Sequence, residues 1–154
     1  MAKIETGSEA PEFDLQVIGS ECVRLSGFRG HRNVLLVFHP FAWTSICAEE
    51  ARDLQENLPA FESAETDVLL VSCDSAATRQ AWKEKLGLTY TLPSDFWPHG
   101  EAARAYGVFD ESKGAPVRGT FLIDKEGIVV WSLVNDADTR RSELTSAPLA
   151  AATE

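Results

Sequence analysis

Hydrophobic and polar positions alternate near the start of the chain, and further on they give way to continuous apolar runs. Alternation over residues 13–25, around Gly19-Ser20, predicts a half-buried β-hairpin. The run Asn33–Phe38 (NVLLVF) is almost wholly apolar, which is typical of a strand covered on both faces. Residues 68–71 form a second run of this kind. We therefore expect two central strands of one sheet at these positions.

Apolar residues then recur at steps of three and four, the period of a helix with one buried face. The first such helix carries these positions at Cys47, Ala51, Leu54, Leu58 and Phe61. Pro59 is expected to bend this helix or divide it. A second helical segment contains Trp82 and stops at Gly87, a good C-terminal residue. The order strand, helix, strand predicts a right-handed crossover between parallel strands, and hence an α/β architecture.

The second half of the chain continues with shorter elements. The predicted elements are a short strand at 88–92, a loop at 94–100 (SDFWPHG), a short helix at 101–106, a hairpin of residues 118–123 and 127–134, and a last helix from about residue 140. No repeat, low-complexity tract or flexible linker divides the chain. We therefore predict a single domain over residues 1–154.

Charge and cysteine content narrow the classes of function. The net charge of −10 disfavours nucleic acid and anionic membranes as partners. No run approaches the ~20 apolar residues of a membrane-spanning helix, and the polar first residues lack the apolar stretch of a secretion signal, so we predict a cytoplasmic protein. Cys22, Cys47 and Cys73 contain no C-x-x-C pair, which argues against a disulfide framework and a structural zinc site. We expect free thiols, no metal and no cofactor.

Cys47 is the residue whose surroundings most clearly indicate a chemical role. Its helix begins near Thr44 or Ser45, both good N-cap residues, so free backbone N–H groups and the positive end of the helix dipole point toward the sulfur. Such an environment favours a thiolate. Pro40 ends the preceding strand and turns the loop so that Thr44 and Cys47 converge. The alternative is that a lone cysteine on an apolar helix face is only small hydrophobic filling.

The frame P-x-x-x-T-x-x-C of Pro40, Thr44 and Cys47 resembles the active-site motif of the peroxiredoxins, which are thiol peroxidases. Arg118, which opens a predicted strand in VRGTFLID, completes the motif. The resemblance extends over nearly the whole chain, and SDFWPHG with AYGVF is most similar to the one-cysteine, actinobacterial alkyl hydroperoxide reductase E type. It implies a thioredoxin-like fold with a central mixed β-sheet flanked by helices and an N-terminal β-hairpin.

The same resemblance implies a role for each residue of the motif. Cys47 would attack one oxygen of the peroxide, while Thr44 and Arg118 hold the two oxygens and stabilise the charge on the leaving one. Pro40 would shield the thiolate from water. Glu50 matches a glutamate that braces the arginine, although a solvated helix carboxylate is an equal alternative. The implied substrates are hydrogen peroxide, organic hydroperoxides or peroxynitrite.

His39 departs from the family pattern, because relatives more often carry Phe or Tyr before the proline. A histidine there would either tune the thiol or serve as a structural ring with a satisfied N–H group, and the second alternative is favoured. Two aromatic segments, Phe41 to Trp43 and Phe96-Trp97, suit the surface of a homodimer, which relatives commonly form. Burial in the core would explain these aromatic residues equally well.

The second half of a peroxidase cycle requires another thiol to reduce the sulfenic acid of Cys47. The resemblance assigns no resolving role to Cys73, so an external thiol or a glutaredoxin-like or mycoredoxin-like protein is expected. A two-cysteine cycle stays open, because Cys73 ends the neighbouring strand at the same sheet edge. Cys22 is expected to be surface or edge filling. A thiol-disulfide exchange protein and a redox sensor are the other functional classes that this sequence allows.

Overall fold

A four-stranded mixed sheet forms the centre of the protein in the computed structural model, which describes residues 4–139, 141 and 146–152. Its strand order is β4 (Thr66–Val71), β3 (Asn33–Phe38), β7 (Arg118–Ile123) and β8 (Val129–Asn135). β3 pairs parallel with β4 and antiparallel with β7. The predicted parallel pair and the predicted C-terminal hairpin are therefore both confirmed.

Two small hairpins accompany this sheet. The N-terminal one joins β1 (Asp14–Ile18) and β2 (Glu21–Arg24), as the alternation predicts. The other joins β5 (Phe109–Asp110) and β6 (Ala115–Pro116) and is not among the predicted elements. Its strands are two residues long, which is too short to show a periodic pattern.

Five α-helices are described. They are α1 (Ser45–Glu56), α2 (Leu58–Ser63), α3 (Ala76–Leu86), α4 (Glu101–Ala105) and α5 (Ser146–Ala152). Pro59 lies in the first turn of α2, where its missing N–H is not needed, so the predicted long helix is divided at Asn57. α3 ends at Gly87, which adopts a left-handed conformation with φ of 68°.

The sheet separates two hydrophobic clusters because side chains alternate along each strand. Val34, Leu36 and Phe38 of β3 contribute to the first cluster, which also contains Cys73. Leu35 and Val37 contribute to the second, which contains Cys47, Trp82 and the apolar face of α1. The two buried cysteines thus lie on opposite faces of the sheet.

Two predicted elements differ from the structure. Residues 88–92 do not form a strand, and only an isolated bridge joins Thr91 to Leu69, because the chain touches the edge of β4 at single points. At the C-terminal end, α5 begins at Ser146 and Arg141 is not helical, whereas a helix from about residue 140 was predicted. Residues 140 and 142–145 lie outside the described residues. The prediction of a single domain stays a prediction.

None of the helices in the described ranges has both the length and the apolar character that crossing a bilayer requires.

Candidate active site

The loop between β3 and α1 leads the chain from the sheet edge into the helix of Cys47. Pro40 is buried at its start, and Trp43 has a φ of 67°, a conformation that is strained for a residue with a side chain. Thr44 occupies the N-cap position of α1, but its hydroxyl donates to the Phe41 carbonyl at 2.9 Å and does not cap the helix. Its oxygen lone pairs therefore remain available to accept a hydrogen bond.

Cys47 is the third residue of α1 and lies at the positive end of the helix dipole. The residue is only 2% exposed, and it shares a hydrophobic cluster with Ala51 and Leu54 of the same helix face. The predicted inward orientation is thus present, and the side chain is almost wholly shielded from solvent.

Arg118 is the first residue of β7, and it is nearly as buried as Cys47. Its Nη1 donates to Glu50 Oε1 at 2.5 Å, and its Nε donates to the Ala137 carbonyl at 2.7 Å. Glu50 lies one turn after Cys47 on α1 and is fully buried. The alternative of a solvated carboxylate at Glu50 is therefore wrong, because the helix face that carries Cys47 also buries Glu50.

A second arginine, Arg141, shares the Glu50 carboxylate. Its Nε donates to Oε2 at 2.9 Å, its Nη2 donates to Oε1 at 2.8 Å, and its backbone N–H donates to Oε2. Nη1 reaches Thr120 Oγ1 on β7. Burial raises the pKa of Glu50, but the hydrogen bonds and charge of Arg141, with the charge of Arg118, outweigh burial and lower it. Arg141 was not predicted as a site residue, because it stands in a polar segment without a motif.

One cavity of about 200 Å³ lies beside this group. It is lined by Pro40, Phe41, Thr44, Ser45, Ile46, Lys113, Arg118, Ala137 and Asp138. The structure thus brings Pro40, Thr44 and Arg118 to one concave surface, as the motif predicts. Cys47 does not line this surface, although Ile46, the residue before it, does.

His39 lies behind the loop and is fully buried. Its ring stacks on Trp82 with centroids 5.2 Å apart, and its Nε2 lies 2.5 Å from Nη1 of Arg79. Burial and the charges of Arg79, Arg141 and Arg118 hold the pKa of His39 well below its usual value. Nε2 therefore accepts from Arg79, and the proton is on Nδ1. Among the described residues, no hydrogen bond of ordinary distance and angle reaches Nδ1, so the expected satisfied N–H is not found, and the Phe41 backbone interacts with the ring only weakly.

The other cysteines differ in their surroundings. Cys22 is exposed on β2, whereas Cys73 is buried just after β4, and all three cysteines are free. Burial, with the charges of Asp95 and Asp74, raises the pKa of Cys73 to about 12. Within the ranges that the structure describes, no group of three or more His, Cys, Asp or Glu side chains is arranged to hold a metal ion.

The family model for AhpC/TSA matches residues 6–132. This chain belongs to the AhpC/TSA family. Alkyl hydroperoxide reductase E of Mycobacterium tuberculosis is 40% identical over 151 residues, which cover 97% of this chain and 99% of that protein. Peroxiredoxin 2 of Thermoplasma acidophilum is 35% identical over 140 residues, which cover 88% of this chain and 69% of that protein. The resemblance to the alkyl hydroperoxide reductase E type is confirmed.

Solved peroxiredoxin structures confirm the thioredoxin-like fold. Peroxidoxin BcpB from Mycobacterium tuberculosis superposes with a TM-score of 0.86 at 25% identity, over 97% of this chain and 96% of that one. The reduced 2-Cys peroxiredoxin of Plasmodium vivax gives a TM-score of 0.81 at 34% identity, over 90% and 76% of the two chains. The chain is therefore a peroxiredoxin, an enzyme with thiol-dependent peroxidase activity.

Proposed function

We propose that Cys47 is the peroxidatic cysteine of this peroxiredoxin. The observation that supports this assignment most directly is the set of residues around one cavity: Pro40, Thr44 and Arg118 line it, and so do Ser45 and Ile46, the first two residues of the helix whose third residue is Cys47. A thiolate there attacks one peroxide oxygen, and the O–O bond breaks. The leaving oxygen takes a proton from solvent to become water or an alcohol, or departs as nitrite when the substrate is peroxynitrite, and Cys47 becomes a sulfenic acid.

Thr44 and Arg118 hold the two peroxide oxygens during this step. The Thr44 oxygen accepts a hydrogen bond from the peroxide O–H, because its own proton is directed to the Phe41 carbonyl. Arg118 donates to the oxygen on which negative charge grows, while its Nε and Nη1 are anchored by Ala137 and Glu50. Donors that are fixed before substrate arrives lower the free energy of the transition state without reorganisation. Pro40 keeps water from the thiolate.

Peroxide substrates of this chain are proposed to be hydrogen peroxide, organic hydroperoxides or peroxynitrite. A cavity of about 200 Å³ suits a small molecule. Its walls include the apolar side chains of Pro40, Phe41, Ile46 and Ala137, which accommodate the carbon atoms of an organic hydroperoxide. Arg118 and Lys113, which also line the cavity, supply positive charge for an anionic peroxide such as peroxynitrite.

Regeneration of Cys47 is proposed to use an external thiol, either a small thiol or a glutaredoxin-like or mycoredoxin-like protein. Cys73 is unsuited to the resolving role on two grounds. It packs on the opposite face of the sheet from Cys47. Its raised pKa, about 12, also leaves almost no thiolate at neutral pH, and the thiolate is the species that attacks. Because Cys47 is 2% exposed, docking of a protein reductant requires the loop before α1 or the first turn of α1 to open.

A homodimer is proposed from the exposed aromatic residues near the site. Phe41 and Trp43 in the loop before α1 are 42% and 54% exposed, and Phe96 and Trp97 are 49% and 83% exposed. Burial in the core of one chain therefore does not explain them. Light scattering should give twice the mass of one chain, and Trp97→Lys tests whether this surface forms the contact. A monomeric wild-type protein would contradict the proposal.

A cytoplasmic location is also proposed. All three cysteines are free, including the exposed Cys22, as is usual for proteins of reducing compartments. Cell fractionation tests this directly.

The assignment of Cys47 is tested with one equivalent of peroxide in the absence of added thiol. Wild-type protein should consume it rapidly, with a change in tryptophan fluorescence, and mass spectrometry should locate a sulfenic or sulfinic product on Cys47. Cys47→Ser should lose both responses, while Cys22→Ser, an exposed cysteine, should keep them. Rapid peroxide reduction by Cys47→Ser would refute the assignment. A Cys47–Cys73 crosslink would instead support the two-cysteine cycle.

A further inference from the structure

A buried arginine that is not part of the active-site motif lies behind the active-site loop. Arg79 of α3 is fully buried. Its Nη1 donates to His39 Nε2 and, at 2.9 Å, to Ser72 Oγ, and its Nη2 donates to the Leu70 carbonyl. All three acceptors are neutral, and in the described part of the chain no carboxylate forms an ion pair with Arg79. Its Nε has no hydrogen-bond partner there either.

The position of Arg79 is on the same face of the sheet as Cys47. His39 continues the alternation of Leu35 and Val37, which pack in the cluster of Cys47. Trp82, one turn after Arg79 on α3, belongs to that cluster too. Arg79 reaches the end of β3 from the β4 side, whereas Arg118 comes from β7 on the other side. Two arginines therefore flank the strand end that leads to Cys47.

Asp74 connects this arginine to the active-site loop. Its Oδ2 accepts from Ser72 Oγ at 2.5 Å and from the Ala42 backbone N–H at 2.8 Å. The loop is thus held at His39 by Arg79 and at Ala42 by Asp74. Since the loop carries Thr44 and leads into the first turn of α1, this network fixes the approach to the thiol.

Three buried guanidinium groups, those of Arg79, Arg118 and Arg141, lie around the site. The buried carboxylate of Glu50 pairs with Arg118 and Arg141 but not with Arg79, and Asp74, which acts on Arg79, is only partly buried. Burial lowers the pKa of Arg79 to about 10, so it is still charged at neutral pH, and both Asp74 and an ionised Cys47 favour its charged form. Tyr90 and Cys73, which also interact with Arg79, are kept neutral by burial. His39 is neutral for the same reason.

We propose that Arg79 is a positioning residue of the peroxidase site: it fixes His39 as the neutral Nδ1–H tautomer and supplies a buried positive charge that favours the Cys47 thiolate. This inference rests on the proposed role of Cys47. Arg79 does not touch the peroxide, because it is absent from the cavity wall. Its contribution therefore acts on the thiol before substrate binds.

The test is the pH dependence of Cys47 alkylation by iodoacetamide in Cys22→Ser protein. Arg79→Met should raise the midpoint by about one pH unit, a roughly tenfold loss of alkylation rate below both midpoints. Arg79→Lys keeps the charge and should restore most of the rate. Arg52→Met removes an exposed arginine from α1 itself, and should leave the midpoint unchanged because water screens that charge. An unchanged midpoint in folded Arg79→Met would overturn the inference.

A measurement on the intact protein covers the case in which Arg79→Met does not fold. The ¹⁵Nε resonance of Arg79 should shift with pH at the midpoint of Cys47 alkylation, and this shift should be absent in Cys47→Ser. An Arg79 resonance whose pH dependence is the same in wild-type and Cys47→Ser protein would contradict the inference. Failure of the proposed function looks different: Cys47→Ser would still reduce peroxide, whatever the alkylation profile shows.

Discussion

The Glu50 carboxylate on α1 accepts a hydrogen bond from Arg118 on β7 at 2.5 Å, with both side chains buried. Glu50 lies one turn after Cys47, so this ion pair joins the helix that carries the thiol to the strand that carries the guanidinium of the cavity. The distance between Cys47 and Arg118 therefore depends on one carboxylate, which Arg141 also binds.

Replacing Glu50 by Gln should impair both stability and activity. Two buried guanidinium groups would lose their shared counter-charge, so we expect the free energy of unfolding to fall by about 3 kcal/mol. Because Arg118 would no longer be held, the rate of peroxide reduction should fall at least roughly tenfold. Urea denaturation and stopped-flow fluorescence measure the two effects. Glu56→Gln, an exposed position at the end of the same helix, is the matched control and should change neither.

Glu50 should also make the protein sensitive to acid. Its pKa is lowered in the folded protein, so the stability it contributes is present above its unfolded pKa of about 4.5 and is lost as pH falls through the folded value. Between neutral pH and about pH 3, Glu50→Gln should therefore lose less of its remaining stability than the wild type does. Equal losses in the two proteins would contradict this prediction.

Arg141→Lys should show that the second arginine acts through its shape as well as its charge. A lysine cannot reproduce the fork that binds both oxygens of Glu50 and reaches Thr120. We expect a loss of about 1–2 kcal/mol in unfolding free energy and a severalfold slower reaction with peroxide. Arg24→Lys, in an exposed ion pair with Asp14, is the control, and its effects should be small. Equal effects of both substitutions would contradict the prediction.

Asp95 should make stability depend on pH in the direction opposite to Glu50. Burial raises the pKa of this carboxyl to about 6, despite hydrogen bonds from the backbone N–H groups of Ala102 and Ala103. As pH rises, the unfolded chain therefore loses the Asp95 proton before the folded protein does. The free energy of unfolding should fall progressively between about pH 4 and pH 6, by at most about 3 kcal/mol.

Asp95→Asn should abolish the fall in unfolding free energy between about pH 4 and pH 6 when urea denaturation is repeated between pH 4 and pH 7. Asp14→Asn, which removes an exposed carboxylate, should retain it. An NMR titration gives a direct check, because Asp95 should titrate near pH 6. A value below 4 would show the prediction to be wrong.

Cys73→Ala should leave thiol-dependent turnover unchanged, because Cys73 lies on the face of the sheet away from Cys47. After one equivalent of peroxide, the wild-type protein should still contain free thiols at Cys22 and Cys73, which thiol labelling with mass spectrometry detects. Loss of the Cys73 thiol without added reductant would show that the one-cysteine cycle is wrong. Cys22→Ala provides the matched control at an exposed position.

Local patterns in the sequence determined much of the fold and the centre of the site. The continuous run of β3, the period of α1 and the glycine that ends α3 depend on neighbouring residues, and all three occur as predicted. The motif likewise brought Pro40, Thr44 and Arg118 to one cavity. The side of the sheet on which Cys73 lies was not predicted, although its spacing of two from Val71 and Leu69 places it on the same face as these residues.

The tertiary structure decided which charges share the interior, including the choice between the two alternatives for Glu50. Glu50 meets Arg118 and Arg141 across 68 and 91 residues, and Arg79 meets His39 across 40. Periodicity carries no information about such pairs, since each depends on how a helix and a strand pack together. Burial then decides their chemistry: the same carboxylate, imidazole or guanidinium would be an ordinary solvated group at the surface, and becomes part of a reactive site where water is excluded.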